Sequence, residues 1–120
     1  MQLQVCYDLR FPEIVRNRIE RNGEPAYDVI LYVANWPEKR SSHWKLLIPA
    51  RAVENQCYVV GVNRVGEDGN GLVYSGDSCI CDPMGEVSWL APHHEELKTV
   101  QLKADMLNNT RRSLPFLKDR

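Results

Sequence analysis

No run of residues in this chain approaches the ~20 consecutive apolar positions that a membrane-crossing helix requires. A basic segment followed by an apolar stretch, the mark of an export signal, is also missing. Neither sign of charge is in excess: 15 Lys and Arg stand against 16 Asp and Glu, for a net charge of −1. That balance leaves no electrostatic footprint for nucleic acid or an anionic membrane surface. The four cysteines, Cys6, Cys57, Cys79 and Cys81, form no CxxC pair, which removes metal-ligand spacing. His43, His93 and His94 follow no metal spacing either and read as surface residues. Without export signals a disulfide framework is not expected, so the reading is four reduced thiols and a cytoplasmic location. Internal repeats, linkers and low-complexity segments are absent.

What is present is ordinary globular material. With 120 residues, 43% apolar and 26% charged, the chain has enough for one small domain. Gln2 to Cys6 reads as a short strand. It opens almost at the first residue, and a domain that starts directly on a strand looks cut. Phe11, Ile14, Val15 and Ile19 have helical spacing, which predicts an amphipathic helix over Leu9 to Arg21 with Pro12 in its first turn. Asp28 to Ala34 and Cys57 to Asn63 are continuous apolar, β-branched runs that suit strands buried on both faces. Between them Glu38 to Gln56 reads as a helix, kinked or split by Pro49. Three further strands are expected, over Tyr74 to Asp82, Glu86 to Leu90 and Lys98 to Leu102, with Gly66 to Gly71 as a loop. Cys79 and Cys81 alternate with Ile80 and should share one face. The tail from Met106 to Arg120 reads as a short helix or turns, followed by apolar Leu114 to Leu117.

Strand, helix, strand, helix and then a run of strands predicts an α/β fold with right-handed crossovers. The sheet should be mixed, with helices on one face, and the chain shows no cover for the other face.

Cys6 ends a predicted strand just before a predicted helix, in Cys6-Tyr7-Asp8-Leu9-Arg10-Phe11-Pro12-Glu13. Open α/β sheets place their ligand crevice at such strand ends. A helix N-terminus favours the thiolate, the reactive form. From the residues alone, Cys6 is equally well read as a nucleophile or as a small buried hydrophobe.

The segment CYDLRFPE resembles the cysteine motif of the nitrilase superfamily of carbon–nitrogen hydrolases, in its Nit and omega-amidase-like branch. The resemblance continues in order through Leu31 to Pro37, Trp44 to Leu47, Ala50 to Gln56, Tyr58 to Gly66, Tyr74 to Ser78 and Asp82 to Glu86. It covers nearly the whole chain. It implies the C-terminal half of an αββα sandwich, so that residues 1–120 form one partial domain. It also implies a Glu-Lys-Cys triad without metal or organic cofactor. In that chemistry the Cys6 thiolate attacks an amide or nitrile carbon, a thioester forms, ammonia leaves and water releases the acid. The backbone N–H of Tyr7 would stabilise the oxyanion together with the lysine.

In the family the glutamate and lysine precede the cysteine, and only five residues precede Cys6. Glu13, Glu38, Lys39, Lys45 and Glu54 follow it and read as helix-surface charges. The expectation is an amidase-type chain with little activity of its own. The alternatives are a non-catalytic interaction module or one half of a split enzyme. The expected partners are a small amide substrate and a second copy or a complementary N-terminal half. The resemblance further implies that Arg10 contacts a substrate carboxylate. An ion pair of Arg10 with Asp8 or Glu13 is the slightly favoured alternative. Asn35 and Trp36, on the same rim as Cys6, line the pocket or form a loop turn beside a packed ring. Arg51 and Glu54 suit a structural pair, and Ser75 to Ser78 a turn entering a strand.

Overall fold

A computed structural model describes all 120 residues. The strands in chain order are β1 (Gln2–Val5), β2 (Val29–Ala34), β3 (Tyr58–Asn63), β4 (Val65–Glu67), β5 (Val73–Ser75), β6 (Cys79–Cys81) and β7 (Val87–Trp89). Five of them form one sheet in the order β1-β2-β3-β6-β7, and β4 and β5 form a separate hairpin. The first two pairs are parallel and the next two antiparallel. Parallel neighbours need a long crossover, and helix α1 (Ser41–Asn55) supplies it between β2 and β3. The antiparallel β6–β7 pair needs only the turn at Asp82, whose carboxylate accepts N–H bonds from Met84 (2.8 Å) and Glu86 (3.1 Å).

The core lies between α1 and one face of the sheet. Trp44, Ile48 and Ala52, at i, i+4 and i+8, line one side of α1. They pack on Ile30, Tyr32, Val59, Cys79 and Cys81. Both cysteines of β6 are thus on the same buried face, as their alternation predicts. Gly61 permits the close approach of helix and sheet: a Cβ there would fall 2.6 Å from Trp44 Cζ2 and 3.2 Å from Ile48 Cδ1. The opposite face carries two apolar rows in register, Leu3–Leu31–Val60–Ile80 and Val5–Val33–Val62. No element of the chain covers this face: Leu31, Val60 and Ile80 are partly buried, and Leu3 and Val5 are 63% and 60% exposed.

Four expectations are corrected. The helix over Leu9 to Arg21 does not form. Two 3-10 turns, Cys6–Arg10 and Pro12–Val15, stand there instead. Phe11 between them is extended (φ −116°, ψ 90°), because a residue preceding proline is pushed out of the helical region. Beyond Val15, the Asn17 N–H bonds to Asn55 Oδ1 at 2.8 Å rather than to a carbonyl one turn back. The helix through Pro49 is neither split nor as long as expected: a 3-10 turn (Glu38–Arg40) precedes it, and it runs unbroken to a left-handed cap at Gln56 (φ 45°). Pro49 forfeits one backbone bond, and Trp44, Ile48 and Ala52 keep the helix seated. The strand over Lys98 to Leu102 is absent. Residues 91 to 100 are exposed throughout, so their alternation has no face to bury.

Tyr74 to Asp82 is not one strand either. Gly76 (φ 76°) and Asp77 (φ 55°) break it into β5 and β6. Helix α2 (Ala104–Ser113) docks beside the sheet through Arg111, which donates to the carbonyls of Gln56 and Tyr27, both at 2.9 Å. Of the apolar tail only Leu117 is buried, and Phe116 stays 47% exposed.

Candidate functional site

The C-terminal ends of β1, β2 and β3 form one rim. Val5, Val33 and Val62 are in register across it, so the residues that follow them come together: Cys6, then Ala34 and Asn35, then Asn63 and Arg64. Cys6 is half-buried, packs against the border of the core and has a left-handed backbone (φ 42°). That conformation is costly for a residue with a Cβ and is held only where the surroundings impose it. Two contacts impose it here. Asp8 folds back to accept the Val5 N–H at 2.8 Å. From below, the buried Arg51 donates Nε (3.1 Å) and Nη2 (2.7 Å) to the Leu9 carbonyl, and its Nη1 pairs with Glu54 at 3.0 Å. The expected Arg51–Glu54 pair is therefore present, and it also clamps the turn after Cys6. Tyr7 is the second residue of that turn, where N–H groups have no partner within the turn.

Arg10 pairs with neither Asp8 nor Glu13. Its guanidinium lies 4.6 Å above the Trp36 ring, and Nη1 is 3.2 Å from His43 Nδ1. Since arginine only donates, His43 accepts through Nδ1. Trp36 is 3% exposed: it is a platform under Arg10 rather than an open wall. Its indole N–H donates to Arg40 O at 2.7 Å, and its ring packs on Trp44 with centroids 5.7 Å apart. Asn35 is exposed on the rim between Cys6 and Asn63.

Sequence reasoning missed Asn63 and Asp77. The Asn63 side chain accepts the Trp36 N–H (2.7 Å) and donates to Trp36 O (3.0 Å) and Gly76 O (2.8 Å). One amide thus ties the loop after β2 to the loop before β6. The signal available was a polar residue closing the apolar run CYVVGVN. Asp77 is buried and accepts from Ser75 Oγ (2.6 Å), Ser41 Oγ (2.9 Å) and Lys45 Nζ (2.9 Å). Burial alone would raise its carboxyl; the bonds from Ser75, Lys45 and Ser41 outweigh that and hold it below the usual range. Lys45 is thus a helix-surface charge, as expected, that also serves as a structural partner.

Burial pushes the Cys57, Cys79 and Cys81 thiols up to about 12, so near neutral pH they are inert. No three His, Cys, Asp or Glu side chains gather as a metal-ligating group. A cleft of about 390 Å³ runs between Asn63, Arg64, Asp77, Ser78, His94 and Glu95, but Cys6 is not among its walls. The cysteine stands on an open rim beside the cleft.

Residues 1–112 match the family model for carbon-nitrogen hydrolase. Omega-amidase YafV of Escherichia coli is 47% identical over 116 residues, which are 96% of this chain and 43% of that protein. The crystal structure of a CN-hydrolase superfamily protein from Xanthomonas campestris superimposes with a TM-score of 0.94 at 44% identity, over 98% of this chain and 45% of that one. An amidase from Nesterenkonia, captured after Michael addition of acrylamide at its active-site cysteine, gives a TM-score of 0.69 at 35% identity, over 95% and 43% of the two chains. The chain thus spans less than half the length of each.

Proposed function

Because the chain belongs to the carbon–nitrogen hydrolase family, in the Nit and omega-amidase-like branch of the nitrilase superfamily, we propose that it carries the nucleophile of a cysteine amidase acting on small monoamides. The observation that carries this reading is Cys6 itself: half-exposed, forced to φ 42° at the end of a parallel strand, and the least buried of the four thiols. The Cys6 thiolate adds to the amide carbon. The oxygen of the tetrahedral adduct takes its negative charge towards the Tyr7 N–H. Collapse breaks the C–N bond, the nitrogen leaves as ammonia after taking a proton, and an acyl thioester remains. Water then cleaves the thioester, releases the acid and returns the thiol. Arg10, held on Trp36, binds the substrate's carboxylate through its free N–H edge, and Asn35 lines the rim beside it.

The family's base and lysine are not among these residues, and each such contribution is worth about 10²-fold or more. The 120 residues by themselves should therefore turn over next to nothing. The two uncovered apolar rows of the sheet support association with a complementary half or a second copy. The test is hydrolysis of glutaramate and succinamate by the chain alone, by Cys6→Ser, and by the chain mixed with the N-terminal portion of an omega-amidase relative. No turnover alone and Cys6-dependent turnover in the mixture is the expected result. Turnover by the chain alone well above Cys6→Ser would refute the claim of inactivity. Persistent silence in a mixture that demonstrably associates would favour a binding module.

A further inference from the structure

Two arginines lie on the strand-end rim, each with its guanidinium over an aromatic ring: Arg10 over Trp36 and Arg64 over Tyr74, both at 4.6 Å. Their other contacts differ. Arg10 engages His43 with one nitrogen. The Arg64 guanidinium is in no salt bridge and lies over the ring, in a cleft that Glu95 and Glu96 also line. A guanidinium held over a ring face keeps N–H groups that can donate to a carboxylate.

The platform under Arg64 is fixed. Tyr74 is 5% exposed and its hydroxyl donates to Asp68 Oδ2 at 2.9 Å. Asp68 is anchored in turn by the N–H groups of Asn70 (2.9 Å) and Leu72 (3.0 Å). The β4–β5 hairpin closes tightly behind it: a Cβ on Gly76 would fall 2.7 Å from Val65 Cγ1. Arg64 is also close to the chemistry. Its N–H bonds to Ala34 O at 3.1 Å, at the end of the strand between β1 and β3. Cys6 and Asn63 are two strand spacings apart, roughly 10 Å.

We propose that Arg64, seated on Tyr74, is a second carboxylate-recognising residue of the Cys6 site and shares with Arg10 the single acid end of a dicarboxylic acid monoamide; this rests on the amidase reading above. Arg10 and Arg64 then bracket the rim, and neutral amides are selected against because they leave both forks unmatched.

The test needs no turnover. Cys6 in the 120-residue chain is alkylated at pH 8 and low salt with iodoacetate and, separately, with iodoacetamide, which carry the same electrophile with and without a carboxylate. Cys6 adducts are followed by peptide mass. Arg64→Met should lower the iodoacetate-to-iodoacetamide rate ratio about three-fold or more; the ratio cancels any change in the reactivity of Cys6 itself, which acts on both reagents alike. Arg64→Lys, which keeps the charge without the fork, should restore part of it. Arg64→Gln provides a second neutral variant should Arg64→Met fold poorly. A ratio untouched by both neutral variants, while Arg10→Met lowers it, overturns the proposal and leaves the amidase reading intact. Alkylation of Cys6 no faster than that of Cys57, Cys79 and Cys81 defeats the nucleophile reading, and this proposal with it.

Discussion

Replacing Asn63 by alanine removes the one side chain that joins two loops of the rim. Three backbone groups lose their partner: the N–H and carbonyl of Trp36 and the carbonyl of Gly76. A typical intramolecular hydrogen bond contributes about 1 kcal/mol net, and a buried group left unpaired costs about 1–3 kcal/mol. Asn63 is only 8% exposed and Trp36 3%, so solvent replaces little of what is lost. Water reaches the strand ends better than the core, which keeps the total towards the lower sum, about 2–4 kcal/mol. Urea unfolding followed by tryptophan fluorescence reads the effect directly, because Trp36 and Trp44 pack on one another at 5.7 Å. With a slope of about 1–3 kcal/mol/M, the midpoint should fall by roughly 1–3 M at unchanged slope. A loss below about 1 kcal/mol would refute the reasoning, since it would mean that the loops are held by their other contacts and Asn63 merely fills space.

Gly61→Ala places a methyl 2.6 Å from Trp44 Cζ2 and should cost about 1–3 kcal/mol through overpacking, measured by the same unfolding experiment; a neutral result would show that α1 lifts freely from the sheet. The Asp77 cluster should make stability pH-dependent. Its folded carboxyl lies below the ordinary value, so the ionised cluster adds stability above the unfolded pKa of about 3.9 and loses it as the pH falls through that range. Asp77→Asn should therefore be less stable than the parent chain at pH 7, with the gap narrowing at pH 3; a gap independent of pH would contradict the assignment.

Much of the fold is legible in the sequence because the parallel strands are simple objects. DVILYVA and CYVVGVN announce themselves as strands, and both form within a residue or two of the expected limits, but the expected burial on both faces is not met: Val33 and Val62 are 46% and 48% exposed on the face away from α1. The segment after Cys6 is not legible in the same way. Its apolar spacing is helical, but Pro12 and the long-range bond from Asn17 to Asn55 override it. Periodicity records neither a proline's effect on its predecessor nor a partner 38 residues away. The site divides similarly. Cys6, Arg10 and Trp36 were singled out through the motif around them, whereas the placing of Arg10 over Trp36 and the tie from Asn63 are tertiary facts that no local spacing encodes. Lys45 is the exposed helix charge expected, but its pairing was not legible, because the carboxylate partner lies 32 residues further on, in a stretch that read as an ordinary turn.

The sheet keeps adhesion and reactivity on different surfaces. Its apolar rows look outward from the face opposite α1, whereas Cys6 and the arginines occupy the edge where the parallel strands stop. A body laid on the face meets that edge only along its border. Cover and chemistry are therefore separable by geometry: whatever seals the hydrophobic rows adds a wall to the reacting edge without standing in front of it.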